Sequence, residues 1–267
     1  MKAIELINEL KAGGSASERT CDTIKAGDAE KELKKVGVSM FGTVEVIRQA
    51  KAWGADLLIV HEPLYYNHMD VIGEDPSPVV AAKRALVEEC GMVFFRYHDF
   101  MHFRDEDRIT EGELHYLGLR GKVEKTPYVA SYLFTSEEPV TALELAQRME
   151  RDLHIAHVRI AGKKDGKSTK IAACFGTPGG VFELLRDENV QIVLTGEAGE
   201  WTLGEYARDA AALGMNKALI VMGHIGSERD GMRLLAERLQ AAHPEFETRY
   251  FECGEVYGYT DSNQAAL

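Results

Sequence analysis

The chain has 267 residues with 31 basic and 43 acidic side chains, a formal charge of −12. An apolar fraction of 45% beside 28% charged residues is the balance of an ordinary globular protein, which excludes disordered and fibrous classes. No apolar run approaches the ~20 residues of a membrane-spanning helix, and so negative a chain disfavours a nucleic-acid partner, whose phosphates call for clustered Lys and Arg. The opening stretch MKAIELINELKAGG has no signal-peptide apolar run, so a cytoplasmic location is expected. Short apolar runs then alternate with amphipathic helical stretches. KVGVSM (35–40) predicts a strand, TVEVIRQAKAW (43–53) a helix stopped by Gly54, and DLLIV (56–60) a buried strand, which together make a βαβ unit. A helix through VVAAKRALVEEC and the strand MVFFRY (92–97) follow.

The middle of the chain carries the strand YVASYLF, the helix TALELAQRMERDL and the strand AHVRI, with Thr141 and Glu144 spaced as a capping box. Then come strand KIAACF (170–175), a glycine-led helix, strand QIVLT (191–195), helix TLGEYARDAAAL and strand KALIVM (217–222). Helix RDGMRLLAERLQAA and strand TRYFEC close the pattern. This alternation implies an α/β protein with mostly parallel sheets flanked by helices, in two lobes. The expected division is 1–127 and 128–267, with the last strand free to rejoin the first lobe.

In open α/β sheets ligands collect beyond the carboxyl ends of the strands. DLLIV runs into His61-Glu62, MVFFRY into His98 with His102 four residues on, QIVLT into Gly196-Glu197, and KALIVM into Gly223-His224 with Glu228 four residues later. One strand-end histidine is most simply explained as a partner for a loop carbonyl. Several at one rim, mixed with carboxylates, suit a divalent transition metal such as Fe, Zn, Mn or Ni. His61, Glu62, His102, His224 and Glu228 are therefore the expected ligands of one or two ions. Two ions roughly 3.5–4 Å apart would deprotonate a water and clamp a substrate's oxygens. Glu197 and His98 are candidate proton-transfer residues on the same rim, with Glu200 a weaker one.

Other features carry less. Gly176, Gly179 and Gly180 lie in a strand-to-helix turn whose amides suit a phosphate or carboxylate, although a tight turn needs the same glycines. GKKDGKST (162–169) has the wrong spacing and context for a P-loop and predicts a hairpin turn. Four dispersed cysteines form no zinc or redox pair and are expected as thiols. His154 and His157 do not form a pair, and His68, His115 and His243 are expected at the surface. Tyr65, Tyr66 and Tyr97 suit either core packing or the wall of a pocket for a planar base.

LIVHEPLYY, the His98-x3-His102 segment, TGEAGEWT and GHIGSER resemble, in order, the signature segments of the NGG-one-interacting factor three family. Its members carry names such as GTP cyclohydrolase 1 type 2 homologue and dinuclear metal centre hexameric protein. The resemblance implies a two-lobed α/β subunit, a metal pair between the lobes, a toroidal homohexamer and a small-molecule substrate. It departs at two ligands. Glu62 replaces the second of two adjacent histidines, and His102 stands where the family has a metal-ligating aspartate; a histidine cannot bridge two ions. The resemblance points to a metal-dependent hydrolase using a metal-activated water; the alternative is a non-catalytic metal-binding or regulatory ring.

Overall fold

Capped amphipathic stretches between fully buried β-branched runs build a mixed α/β fold with two sheets flanked by helices; the computed structural model describes residues 1–73, 75 and 77–260. The chain forms two compact units. Met1–Arg108 and the chain from Gly231 onward make the first, and Ile109–Asp230 the second.

The first unit opens with α1 (Ala3–Lys11), β1 (Ile24–Ala26) and β2 (Lys35–Ser39). Thr43 then starts α2 (Val44–Trp53) by accepting the Val46 amide, and Gly54 ends it with φ of 84°, a left-handed conformation that suits glycine. All four residues of β3 (Leu57–Val60) are buried, as in a parallel strand covered on both faces. After α3 (Pro78–Cys90), β4 (Val93–Arg96) is equally buried and leads into the single-turn α4 (Asp99–His102).

The second unit begins within α5 (Arg108–Leu117) and continues with β5 (Gly121–Lys125), β6 (Tyr132–Thr141), α6 (Ala142–Asp152), β7 (Arg159–Gly162), β8 (Lys167–Cys174), α7 (Val181–Arg186) and β9 (Ile192–Thr195). The Thr141–Glu144 capping box starts α6 as expected. A π-helical turn over Glu200–Gly204 precedes α8 (Glu205–Ala212), and β10 (Ala218–Val221) ends the sheet-forming part. The chain returns to the first unit through α9 (Arg229–Ala242) and β11 (Glu247–Tyr250).

The first sheet runs β1-β4-β3-β2-β11, parallel except at the β1–β4 edge. The second runs β5-β6-β8-β9-β10-β7, with parallel pairs β8–β9 and β9–β10 at its centre and antiparallel pairs outside them. Two segments therefore lie apart from a division at 127/128. β11 pairs with β2 and so rejoins the first sheet, while β5 pairs with β6 and draws residues from 109 onward into the second unit. The 162–169 connection is not a hairpin, because β7 pairs with β10 while β8 lies between β6 and β9.

One core packs Val46, Ile47, Leu58, Val60, Val87 and Phe94 between the first sheet and α2 and α3; another packs Leu184, Leu185, Val193, Ala207 and Leu219 in the second unit. Among the described residues no helix is long and apolar enough to cross a membrane.

Candidate metal centre

Two adjacent parallel strands end at the same rim of the first sheet and deliver the histidines. β3 leads directly into His61, which is fully buried, and β4 into Tyr97 and His98. The turn that follows is held from a distance: the Asp22 carboxylate accepts the amides of His98, Asp99 and Phe100, each at 2.9 Å. These are the amides that a helix start leaves without partners, so Asp22 acts as a remote cap and fixes α4. His102 then comes back over the rim. The three rings cluster, with centroids 4.6 Å (His61–His98), 5.1 Å (His61–His102) and 4.8 Å (His98–His102) apart. One ring nitrogen from each lies within 4.8 Å of the others.

The hydrogen bonds assign the protons. His61 Nδ1 donates to the Tyr97 carbonyl at 3.0 Å, and His102 Nδ1 to Asp107 Oδ2 at 2.8 Å. A carbonyl or carboxylate oxygen accepts, so Nδ1 carries a proton in both residues, and in a neutral ring Nε2 is then the free donor to a metal. The two Nε2 atoms face each other at 3.2 Å. That spacing places two ring nitrogens where one cation could take both. Burial, helped by the neighbouring imidazoles, holds His61 well below the usual histidine range and therefore neutral. His98 Nδ1 pairs with Asp99 Oδ1 at 2.9 Å. Burial works to raise the Asp99 carboxyl, but hydrogen bonds from His98, Thr20 and Cys21 outweigh it and hold the group well below the usual carboxylate range. Imidazole backed by carboxylate or carbonyl on the far nitrogen is how metal-ligating histidines are oriented. The donor set fits a divalent transition ion.

Arg96 organises the surroundings. Its fully buried guanidinium donates to the His61 carbonyl at 3.0 Å and to the His68 carbonyl, and it lies 3.5 Å from Glu62 and 3.7 Å from Asp70. Glu62 is thus ion-paired and also 3.9 Å from His98 Nε2.

The second unit builds a smaller set. β9 ends at Gly196-Glu197 and β10 leads through Met222 and Gly223 to His224. His224 Nδ1 lies 2.8 Å from Glu197 Oε1 and Nε2 3.1 Å from Glu228 Oε2. Gly176, at φ of 67°, leaves the space Glu228 needs, since a β-carbon there would stand 2.2 Å from Oε1. Its amide donates to Ser227 Oγ at 2.9 Å, and Gly179 gives its carbonyl to Ser131, so both are engaged within the protein. Gly180 caps α7 at φ of 81°.

Within the first unit the structure brings His61, His98 and His102 together with Glu62 alongside; within the second it brings together His224, Glu228 and Glu197. His98 joins the imidazole cluster, whereas the sequence suggested a proton shuttle. His243 is not a surface residue: it is buried, stacked on Phe246 and bonded to Glu9 Oε1 at 2.9 Å. His115 lies exposed on α5, and the four cysteines are free thiols. Sequence reasoning missed Asp22, Arg96, Asp99 and Asp107. The one available signal, for Asp99 and Asp107 alone, was the acid that follows each histidine in HDFMHFRDED.

A family model described as Duf34/NIF3 (NGG1p interacting factor 3) matches residues 3–254. Relatives named GTP cyclohydrolase 1 type 2 homolog, from Clostridium acetobutylicum and Clostridium perfringens, are each 22% identical. They align over 226 and 223 residues, which is 82% and 81% of this chain and 81% and 82% of theirs. A solved structure described as protein ybgI of unknown function superposes with a TM-score of 0.75 at 21% identity, covering 96% of this chain and 99% of that one. The Bacillus cereus protein related to NIF3 gives 0.71 at 13% identity, covering 97% and 99%. At these identities the superpositions show a shared fold.

Asp107→Ala removes the group that sets the His102 tautomer and should weaken divalent-ion affinity by about 10–100-fold, read by competition with a chromogenic chelator. A second expectation concerns Glu113, fully buried on α5, with Oε1 accepting the Asp230 amide at 2.9 Å. Burial and the Asp230 carboxylate push its carboxyl well above the usual range. The folded state therefore keeps a proton that the unfolded chain releases above about pH 4.3, and stability is lost as pH rises from there through the folded pKa. Glu113→Gln keeps the acceptor without that loss. It should match the wild type in thermal melts near pH 4 and exceed it near pH 8.

Proposed function

This chain belongs to the Duf34/NIF3 family, and we propose that it is a metal-dependent hydrolase acting on a small molecule. The observation that carries the reading is the approach of His61 Nε2 and His102 Nε2 to 3.2 Å within a cluster of three imidazoles, each of these two rings held by a bond at Nδ1. His61, His98 and His102 would hold the ion. A divalent ion held there would supply Lewis acidity, making a water more acidic and polarising a substrate oxygen. Around it the chain's own residues do the rest. Glu62, held by its ion pair with Arg96, would accept a proton from a nucleophilic water; within the second unit Glu197 holds the His224 ring through Nδ1. The relatives' name points to GTP as the first substrate to test. The proposal extends to a cytoplasmic protein that assembles as a toroidal homohexamer. A second reading, a metal-binding or regulatory ring without turnover, is favoured by one feature: His102 replaces a metal-ligating aspartate and cannot bridge two ions.

The test is elemental analysis of protein purified without chelator, beside turnover assays on GTP and model phosphoesters, for the wild type, His61→Ala and His102→Ala. The hydrolase reading expects a divalent transition ion in the wild type and parallel loss of ion and turnover in both variants. Full ion content in the variants would overturn the site. Bound ion without turnover on these substrates would favour the second reading.

A further inference from the structure

Beside the imidazole cluster, and separate from its donors, the first unit gathers a sulfur, an imidazole and a carboxylate. One donor atom each from Cys21, His68 and Asp99 lies within 4.8 Å of the other two. The sulfur is buried and sits between two acids, 3.4 Å from Asp99 Oδ1 and 3.5 Å from Asp22 Oδ1. A thiol has one proton to give, so it satisfies only one of these oxygens at a time. Burial, with both carboxylates opposing ionisation, pushes the thiol up to about 12. At neutral pH Cys21 is therefore no nucleophile, and a cation is what would make a thiolate stable between those acids.

The third donor is set in place by its loop. Arg96 holds the His68 carbonyl, Asn67 bonds to the backbone of Tyr65 and Val71, and the Asp70 carboxylate accepts the Tyr65 amide. Tyr66 and Asp70 adopt positive φ of 50° and 56°, a left-handed backbone that such residues keep only where the surroundings impose it. The loop thus presents an exposed imidazole over a buried thiol and carboxylate.

We propose that Cys21, His68 and Asp99 form a second cation site, selective for a thiophilic ion such as Zn²⁺, Cd²⁺ or Cu⁺ over Mg²⁺ or Ca²⁺. A mixed sulfur, nitrogen and oxygen set makes that selection, because hard cations take oxygen ligands alone. Binding converts the thiol to thiolate and releases its proton to solvent. Three protein donors leave a coordination position for water or a ligand, reached from the exposed His68 side. The site touches the first cluster at two points, since Asp99 Oδ1 also receives His98 Nδ1 and the His68 ring lies edge-on to that of His98 with centroids 5.4 Å apart. An ion at Asp99 thereby withdraws charge from the carboxylate that orients His98.

Titration with Cd²⁺ and detection of thiolate-to-cadmium charge-transfer absorption tests the site without reference to turnover. The band should appear in the wild type, persist in His61→Ala and be lost in Cys21→Ser, with circular dichroism and melting confirming that the variant folds. His68→Ala, a change at an exposed loop position, should move the titration midpoint to higher Cd²⁺. No band in the wild type at saturation, a band kept in Cys21→Ser, or an unmoved midpoint in His68→Ala would overturn the site. Loss of the band in His61→Ala would assign the thiolate to the first cluster and overturn a separate site.

Discussion

Imidazoles placed nitrogen to nitrogen, each backed at Nδ1 by a carbonyl or carboxylate, make the arrangement on which the rest depends. At 3.2 Å, His61 Nε2 and His102 Nε2 face each other, with each ring's Nδ1 committed on the other side. Burial, with the neighbouring imidazoles, holds His61 far toward its neutral form. A divalent cation would bond to both rings. The metal reading thus rests on which nitrogen carries the proton, and that is fixed by the Tyr97 carbonyl and by Asp107.

Keeping the rings opposed needs a stiff frame. Parallel pairing of β3 with β4 sets His61 and Tyr97 side by side, and the Tyr97 amide returns a bond to the Val60 carbonyl. Arg96, at the last position of β4, spends its donors on the carbonyls of His61 and His68 and its charge on Glu62 and Asp70, with Lys25 3.3 Å from Asp70. A buried guanidinium is tolerated when paired and hydrogen-bonded in this way. Within the second unit the same grammar recurs: a strand end, an imidazole with an acid at Nδ1, and a second acid at Nε2.

Much of this was legible from periodicity. Gly54, Thr141 and Glu144 marked helix ends by their capping chemistry, and LLIV read as a buried strand because parallel strands are covered on both faces. The strand-end histidines were legible because the carboxyl rim of such a sheet is where ligands bind. What stayed hidden was set by long-range partners. Asp22 lies 76 residues before His98, in a stretch without period, and nothing local marks it as the cap of α4. Arg96 reads as the polar residue of an apolar strand, and Asp107 as one acid in a solvated run. β7 looked like half of a hairpin because sequence shows neighbours in the chain, whereas its partner β10 lies more than 50 residues on. His243 looked like a loop residue because its bond to Glu9 spans 234 residues of chain.

The most direct measurement is the protonation pattern of the histidine rings in the metal-free protein, read from the ring-nitrogen shifts in long-range ¹H–¹⁵N NMR spectra at neutral pH. The account predicts that His61 and His102 are both neutral with the proton on Nδ1, and that both Nε2 signals move together when Zn²⁺ is added. An Nε2-protonated form of either ring, or Nε2 signals that ignore the ion, would contradict it.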